Sequence, residues 1–197
     1  MLFEKSNKNR IIVETRKKIG KTFSKLAVSP NQWTFLSLGF SITAAFFLFS
    51  QNYIISAFFI FLSGIMDIID GAVARIKKLA TVKGAYLDTI IDRYNEFIYL
   101  FPLFFLSFEP VIIPFYIWVA LLLFGGMMTT YAKSAAAEKG IKAEIKGGML
   151  ERAERVTLLV IALIIAEINI ALFQYIIIIM ALLANLSALQ RIKKALL

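Results

Sequence analysis

The residues best placed to do chemistry lie between Asp67 and Asp92, in the stretch DIIDGAVARIKKLATVKGAYLDTIID. Asp67 and Asp70 are three apart, with Gly71 and Ala74 following at four and seven, so all four fall on one face of a helix. Asp88 and Asp92 are four apart and also share a face. Long apolar runs flank both pairs, and a charge buried in such surroundings costs several kcal/mol unless something compensates it. Four acids at close range also repel one another. Divalent cations are the natural compensation: four carboxylates have the capacity for two Mg²⁺ or Mn²⁺, with positions left open to phosphate oxygens. Gly71 and Gly84 leave room for a ligand or a second backbone, small Ala74 keeps the same face open, and Arg75 is placed to pair with a phosphate. Two other readings stay open on the residues alone. The acids could pair with cations inside a helix bundle, although Arg75 and Arg93 would neutralise two of them and not four. They could also mark an ion path or a proton-coupled transporter, although they cluster near one face instead of stepping across a membrane.

The elements that must position these residues are apolar helices. Of 197 residues 59% are hydrophobic, against roughly 45–50% in ordinary soluble domains, which marks an integral membrane protein. With neither cysteine nor histidine, disulfides and thiolate chemistry are excluded, and a general base must be a carboxylate, Tyr or Lys. Oxygen-only ligands suit Mg²⁺, Mn²⁺ or Ca²⁺ and not structural zinc. The net charge of +9 fits loops that face anionic lipid, and no nucleic-acid partner is expected. The first residues are mixed and charged and do not form a cleavable signal peptide.

Residues 1–29 carry eight Lys/Arg and two Glu, interleaved with Ile11, Ile12, Val13, Ile19, Phe23 and Leu26. This pattern predicts a basic amphipathic helix on the membrane surface; the plainer alternative is a solvated basic tail. Residues 30–197 form a second region. Six apolar segments follow, at about 32–50, 53–75, 86–107, 111–133, 154–170 and 171–190, each near the roughly 20 residues that cross a bilayer. The last two are joined by a short turn near Glu167–Asn169.

Basic and non-basic connections alternate. The connection at 51–53 is uncharged; the next carries Arg75, Lys77, Lys78 and Lys83; the next only Glu109. Lys133, Lys139, Lys142, Lys146, Arg152 and Arg155 follow, then Glu167 alone, then Arg191, Lys193 and Lys194. The positive-inside rule then predicts an all-α, six-helix transmembrane bundle with both termini cytoplasmic. The aspartates would sit at the cytoplasmic edge of a cell membrane, on antiparallel neighbours joined by a short basic loop.

The stretch resembles the signature of the CDP-alcohol phosphotransferase family: two Asp three apart, Gly, then Ala-Arg, eight residues, Gly, three residues, Asp, three residues, Asp. Asp67, Asp70, Gly71, Ala74, Arg75, Gly84, Asp88 and Asp92 fill every position. The six-span topology and the surface helix also resemble that family. The resemblance implies that Asp67, Asp70 and Asp88 bind two divalent cations, Mg²⁺ or Mn²⁺, and that Asp92 contacts a metal and acts as catalytic base. Gly71, Ala74, Arg75 and Gly84 would line the site for the nucleotide and diphosphate of a CDP-linked lipid. Asp92 would take the proton of an acceptor hydroxyl that attacks the β-phosphorus and expels CMP. Pro30-Asn31-Gln32-Trp33-Thr34 resembles a feature that lies beside the nucleotide in many members, which adds Asn31 and Thr34 to the donor site. The physical alternative is a simple helix start capped by Asn31.

A second basic cluster bears on the acceptor. Thr130, Tyr131 and Lys133 end the fourth span, and GGMLERAER opens the fifth. Several positive groups near one cavity suit a phosphorylated acceptor; ordinary loop charge is the alternative. LDTIIDRY, YAKSAAAE and ERAER resemble the branch of phosphatidylinositol-phosphate and archaetidylinositol-phosphate synthases. That likeness implies inositol 1-phosphate as acceptor, with Lys133, Arg155, Thr130, Arg152 and Arg93 at its phosphate. Ala153 departs from the Pro frequent there. Members using glycerol phosphate usually have Lys where this chain has Arg93. The expected activity moves a phosphatidyl-type group from CDP-archaeol or CDP-diacylglycerol to inositol 1-phosphate, in phospholipid biosynthesis. Rivals are glycerol 3-phosphate, serine or di-inositol-phosphate solute synthesis, and, from another class, a transporter without CMP release. The resemblance also points to a homodimer, and Gly125 and Gly126 would allow close helix contact within one chain or between two.

Overall fold

The computed structural model describes residues 13–15, 17–141 and 147–197. Helices begin where the chain supplies caps and apolar runs. Six α-helices are named here in order: α1 (Pro30–Phe49), α2 (Tyr53–Ile76), α3 (Val82–Leu100), α4 (Phe115–Glu138), α5 (Arg152–Ala166) and α6 (Ile170–Leu196). A short 3-10 turn, Phe101–Phe105, follows α3. These helices lie at the six apolar segments, within a few residues at most boundaries. The described residues contain no strand. Four helices, α1, α2, α4 and α6, are long and apolar enough to cross a membrane, so the chain is a multi-pass membrane protein. The other two depart from the expectation for physical reasons. α3 carries Lys83, Asp88, Asp92, Arg93 and Glu96, too many charges for a plain apolar span, and α5 has only 15 residues against the roughly 20 needed. Of the expected surface helix, residues 13–15 and 17–23 are helical; residues 1–12, with Ile11 and Ile12, lie outside the described residues, as do Lys142 and Lys146.

The start of α1 is built by Ser29 and not by Asn31. The Ser29 N–H donates to Gln32 Oε1 at 2.7 Å and the Gln32 N–H donates to Ser29 Oγ at 3.3 Å. This is a capping box, with Pro30 at the first helical position, where its missing N–H costs nothing. α2 ends with the Leu79 N–H donating to the Ala74 carbonyl at 2.9 Å and Lys78 at φ +56°, a left-handed closure usually given to glycine. Thr81 then caps α3: the Gly84 N–H donates to its Oγ1 at 3.0 Å. Two residues of opposite role, a helix stop and a helix start, thus fall within the short basic connection.

The chain divides into two compact units, the described part of Met1–Ser41 with Leu62–Asn95, and Ile42–Phe61 with Glu96–Leu197. In the first, Trp33, Ile69 and Val73 form a small core joined by Ile19, Phe23, Val28, Ile65 and Met66. A polar stripe on α1 ties it to two neighbours. Thr34 Oγ1 donates to Asp70 Oδ2 at 2.7 Å, Ser41 and Ser63 share a hydroxyl bond of 2.9 Å, and Asn95 Nδ2 donates to Ser37 Oγ at 3.0 Å.

The second unit holds the larger core, in which Phe173, Leu48, Ile60, Leu103, Leu122, Leu159 and Leu163 are among the fully buried side chains. α4 and α6 approach closely at Gly125, where a Cβ would stand 2.8 Å from the Asn185 backbone nitrogen. Asn185 Nδ2 also donates to the Leu121 carbonyl at 2.8 Å. A Cβ at Gly126 would stand 2.7 Å from Glu96 Oε1, so both glycines serve contacts inside one chain. Gly125→Leu is expected to destabilise by about 1–3 kcal/mol, the usual cost of overpacking, read as a lower melting temperature in detergent.

Candidate active site

Helix periodicity and two caps bring the acidic residues together. On α2, Asp67, Asp70, Gly71 and Ala74 follow one face. On α3, Asp88 lies about two turns beyond the Thr81 cap. One carboxylate oxygen from each of Asp67, Asp70 and Asp88 falls within 4.8 Å of the others. Opposite oxygens around one Mg²⁺ are about 4 Å apart, so this donor set fits a divalent cation, which would offset the repulsion of like charge at such range. Asp70 is buried, at 4% exposure, and receives the Thr34 hydroxyl, which fixes one of its oxygens. Asp67 and Asp88 are half-buried. Asp92, also half-buried, sits one turn along α3 from Asp88 and outside the converging three.

Beside the acids opens a cleft of about 180 Å³. Its lining includes Asn31, Thr34, Gly71, Ala74, Arg75 and Gly84, the six residues other than the aspartates that the sequence assigns to a nucleotide and diphosphate, together with Asp70 and Asp88. Because Ser29 caps α1, the Asn31 side chain is released to this cleft. A Cβ at Gly71 would lie 3.6 Å from both terminal nitrogens of Arg75, so the guanidinium folds back over the bare glycine. A Cβ at Gly84 would lie 3.1 Å from Thr81 Oγ1 and 3.6 Å from Asn31 Oδ1, so glycine leaves space between cap and cleft wall. Thr81, Leu79, Ala80 and Ala85 also line the cleft. Of these, Thr81 had a sequence signal, a Thr placed three before Gly84 at a helix start. Two carboxylates, Asp70 and Asp88, a guanidinium and an amide line this cleft, with Asp67 converging on the same carboxylates but outside the lining; such a set suits a cation-bridged diphosphate.

The residues assigned to an acceptor are more dispersed in character. Arg93 follows Asp92 and is half-buried. In the second unit, Thr130 is half-buried and Lys133 exposed on α4, and Arg152 begins α5, half-buried. Arg155 is 3% exposed. Its Nε and Nη2 donate to Glu96 Oε1 and Oε2 at 2.6 and 3.1 Å, and its Nη1 donates to the Leu150 carbonyl at 3.3 Å. Glu96 was not singled out from the sequence, nor was Arg191. Arg191 donates to the carbonyls of Thr129 and Gly147 at 2.7 and 3.0 Å and lies 3.7 Å from Glu151. It ties the end of α6 to α4 and to the approach to α5. Its partners are mostly backbone carbonyls, which leave no mark in a sequence.

Comparison with known proteins places this geometry among relatives. Residues 27–188 match the family model of CDP-alcohol phosphatidyltransferases. The archaetidylinositol phosphate synthase of Pyrococcus horikoshii is 27% identical over 178 residues, 90% of this chain and 89% of that protein. The crystal structure of Mycobacterium tuberculosis phosphatidylinositol phosphate synthase with CDP-DAG bound superposes with a TM-score of 0.79 at 22% identity, covering 91% of this chain and 92% of that one. The same enzyme with manganese and citrate gives a TM-score of 0.80 at 21% identity, over 92% and 88% of the two chains.

Proposed function

Because the chain belongs to the CDP-alcohol phosphatidyltransferase family, we propose that it transfers a phosphatidyl-type group from CDP-archaeol or CDP-diacylglycerol to inositol 1-phosphate with release of CMP. The observation that carries this is the convergence of Asp67, Asp70 and Asp88 beside a cleft bearing Asn31, Thr34, Gly71, Ala74, Arg75 and Gly84. Mg²⁺ or Mn²⁺, two ions in full occupancy, would be held by Asp67, Asp70, Asp88 and Asp92. Bound there, the cations neutralise charge that develops on the diphosphate. Thr34 orients Asp70, and Arg75 lies over Gly71 where it can pair with phosphate oxygens. Asp92 accepts the proton of the acceptor hydroxyl; the hydroxyl oxygen bonds to the β-phosphorus, the bond from that phosphorus to the bridging oxygen breaks, and CMP leaves with the electron pair. A carboxylate is the expected base in a chain without histidine.

The acceptor's phosphate is assigned to Thr130, Lys133, Arg152, Arg155 and Arg93. The names of the relatives in archaetidylinositol-phosphate and phosphatidylinositol-phosphate synthesis support inositol 1-phosphate. The alternation of basic loops supports cytoplasmic termini and a cytoplasmic site in the cell membrane, with residues 1–29 as a surface element and 30–197 as the catalytic region. The homodimer rests on family resemblance, since Gly125 and Gly126 face partners in their own chain. Purified protein given CDP-diacylglycerol or CDP-archaeol is expected to release CMP only with Mg²⁺ or Mn²⁺, fastest with inositol 1-phosphate. Faster release with glycerol 3-phosphate, serine or free inositol would reassign the acceptor, and no metal-dependent release from either donor would overturn the reaction.

A further inference from the structure

The N-terminal segment has two unlike faces, and only one is accounted for by packing. On the inner face Gly20 is buried so closely against α2 that a Cβ would stand 2.7 Å from the Ala72 carbonyl oxygen and 2.7 Å from Ile76 Cγ1. Phe23 meets Trp33 edge-on, with ring centroids 5.6 Å apart. Past the helical residues, Lys77 Nζ donates to the carbonyls of Leu26 and Val28 at 2.9 and 3.0 Å. The segment is therefore fastened at two points to the turn of α2 whose other side presents Asp70, Gly71 and Arg75 to the cleft. Ala72, the contact point, follows Gly71 directly.

The outer face presents Lys17, Lys18 and Lys21 from the helix and Lys25 from the turn after it, all exposed. Lys17, Lys21 and Lys25 repeat at every fourth residue. Like charges at that spacing destabilise a helix that stands alone, and Glu14 is the one acid in the described part of the segment. Beside a membrane the same stripe is favourable, because anionic headgroups attract each nearby lysine by about 1 kcal/mol. We infer that this lysine face binds an anionic lipid surface and, through the Gly20–Ala72 contact, thereby holds the Asp70–Arg75 turn in its cleft-forming position. The segment then acts as a positioning element, and the headgroup charge of the bilayer sets how firmly the turn is held.

The test uses the full chain in nanodiscs of phosphatidylcholine, with or without phosphatidylglycerol. Amide hydrogen exchange at residues 70–76 reports the turn without any substrate; CMP release is the second readout, resting on the donor site proposed above. Anionic discs are expected to slow exchange at 70–76 several-fold and to raise CMP release, and added salt is expected to erase both effects by screening. The variant carrying Lys17→Gln, Lys18→Gln, Lys21→Gln and Lys25→Gln should behave in anionic discs as the wild type does in neutral ones. Because all four are exposed, folding is not at stake, and the same variant controls for accumulation of metal ions at an anionic surface. Gly20→Ala should blunt the response by pushing the segment off Ala72. Equal exchange in the two discs, or an unchanged response in the lysine variant, would overturn the inference. Lipid-dependent exchange without CMP release in any disc would uphold it and overturn the donor reading instead.

Discussion

Asp92→Asn is expected to lower CMP release by about 10²–10⁴-fold, the usual contribution of a general base, while the melting temperature stays near that of the wild type. Asn keeps the shape of the side chain but loses its negative charge and the ability to take a proton. Binding of one manganese ion should persist in this variant, since Asp67, Asp70 and Asp88 converge without Asp92. Asp70→Asn should fail differently. Its amide oxygen can still accept from Thr34, so α1 stays attached, but the buried negative charge is gone and Mn²⁺ binding should be lost together with activity. Calorimetric Mn²⁺ titration alongside the CMP assay separates the two. Normal turnover by Asp92→Asn would remove it as the base, and Mn²⁺ binding at full strength in Asp70→Asn would displace the metal from the converging group.

The largest loss of stability is expected at the pair formed by Glu96 and Arg155, whose side chains are 3% and 4% exposed. Removing one partner takes away the other's bidentate counter-charge in a buried position, a loss of about 3–5 kcal/mol, so Glu96→Leu and Arg155→Met should each melt far below the wild type. Together they should restore most of the stability, because well-packed apolar residues often replace a buried pair at little net cost. The double variant also decides what Arg155 is for. If it folds and still shows the wild-type KM for inositol 1-phosphate, Arg155 is a strut that fixes the start of α5 through Glu96 and Leu150. A KM raised many-fold with kcat retained would show that its guanidinium also meets the acceptor's phosphate.

Much of the cleft proposed as the donor site was legible because helix geometry converts spacing into position. Two acids three apart, then a glycine, an alanine and an arginine, share a face wherever the helix lies, and the same reasoning puts Asp88 and Asp92 on one face of α3, of which Asp88 joins the converging acids and Asp92 does not. Contacts between distant residues were not legible. Thr34 and Asp70 are 36 positions apart, and Glu96 and Arg155 are 59 apart. Nothing local in DRYNE distinguishes Glu96 from an exposed helix acid. The alternative in which Asn31 merely caps α1 gives way to a cap two residues earlier, because Ser29 is also a good cap and Gln32 reaches back to the Ser29 N–H. The span count differs at α5, whose 15 residues fall short of the roughly 20 that cross a bilayer and whose first turn is taken up by Arg152, Glu154 and Arg155. The Glu151 N–H donates to Glu154 Oε2 at 2.8 Å.

The hydroxyl stripe of α1 also bears on how the chain enters a bilayer. Thr34, Ser37 and Ser41 each donate to the carbonyl three or four residues earlier, those of Pro30, Thr34 and Ser37. α1 is made before α2 and α3, when Asp70, Asn95 and Ser63 do not yet exist. Those backward bonds let the nascent helix carry its polar groups into hydrocarbon already satisfied. When the later helices arrive, Ser37 accepts from Asn95, Ser41 pairs with Ser63, and Thr34 turns its one proton to Asp70, each at modest net gain, averaging about 0.6 kcal/mol in membranes. The order of synthesis is thus compatible with stepwise insertion, and the same hydroxyls later register α1 against the helix that carries Asp70.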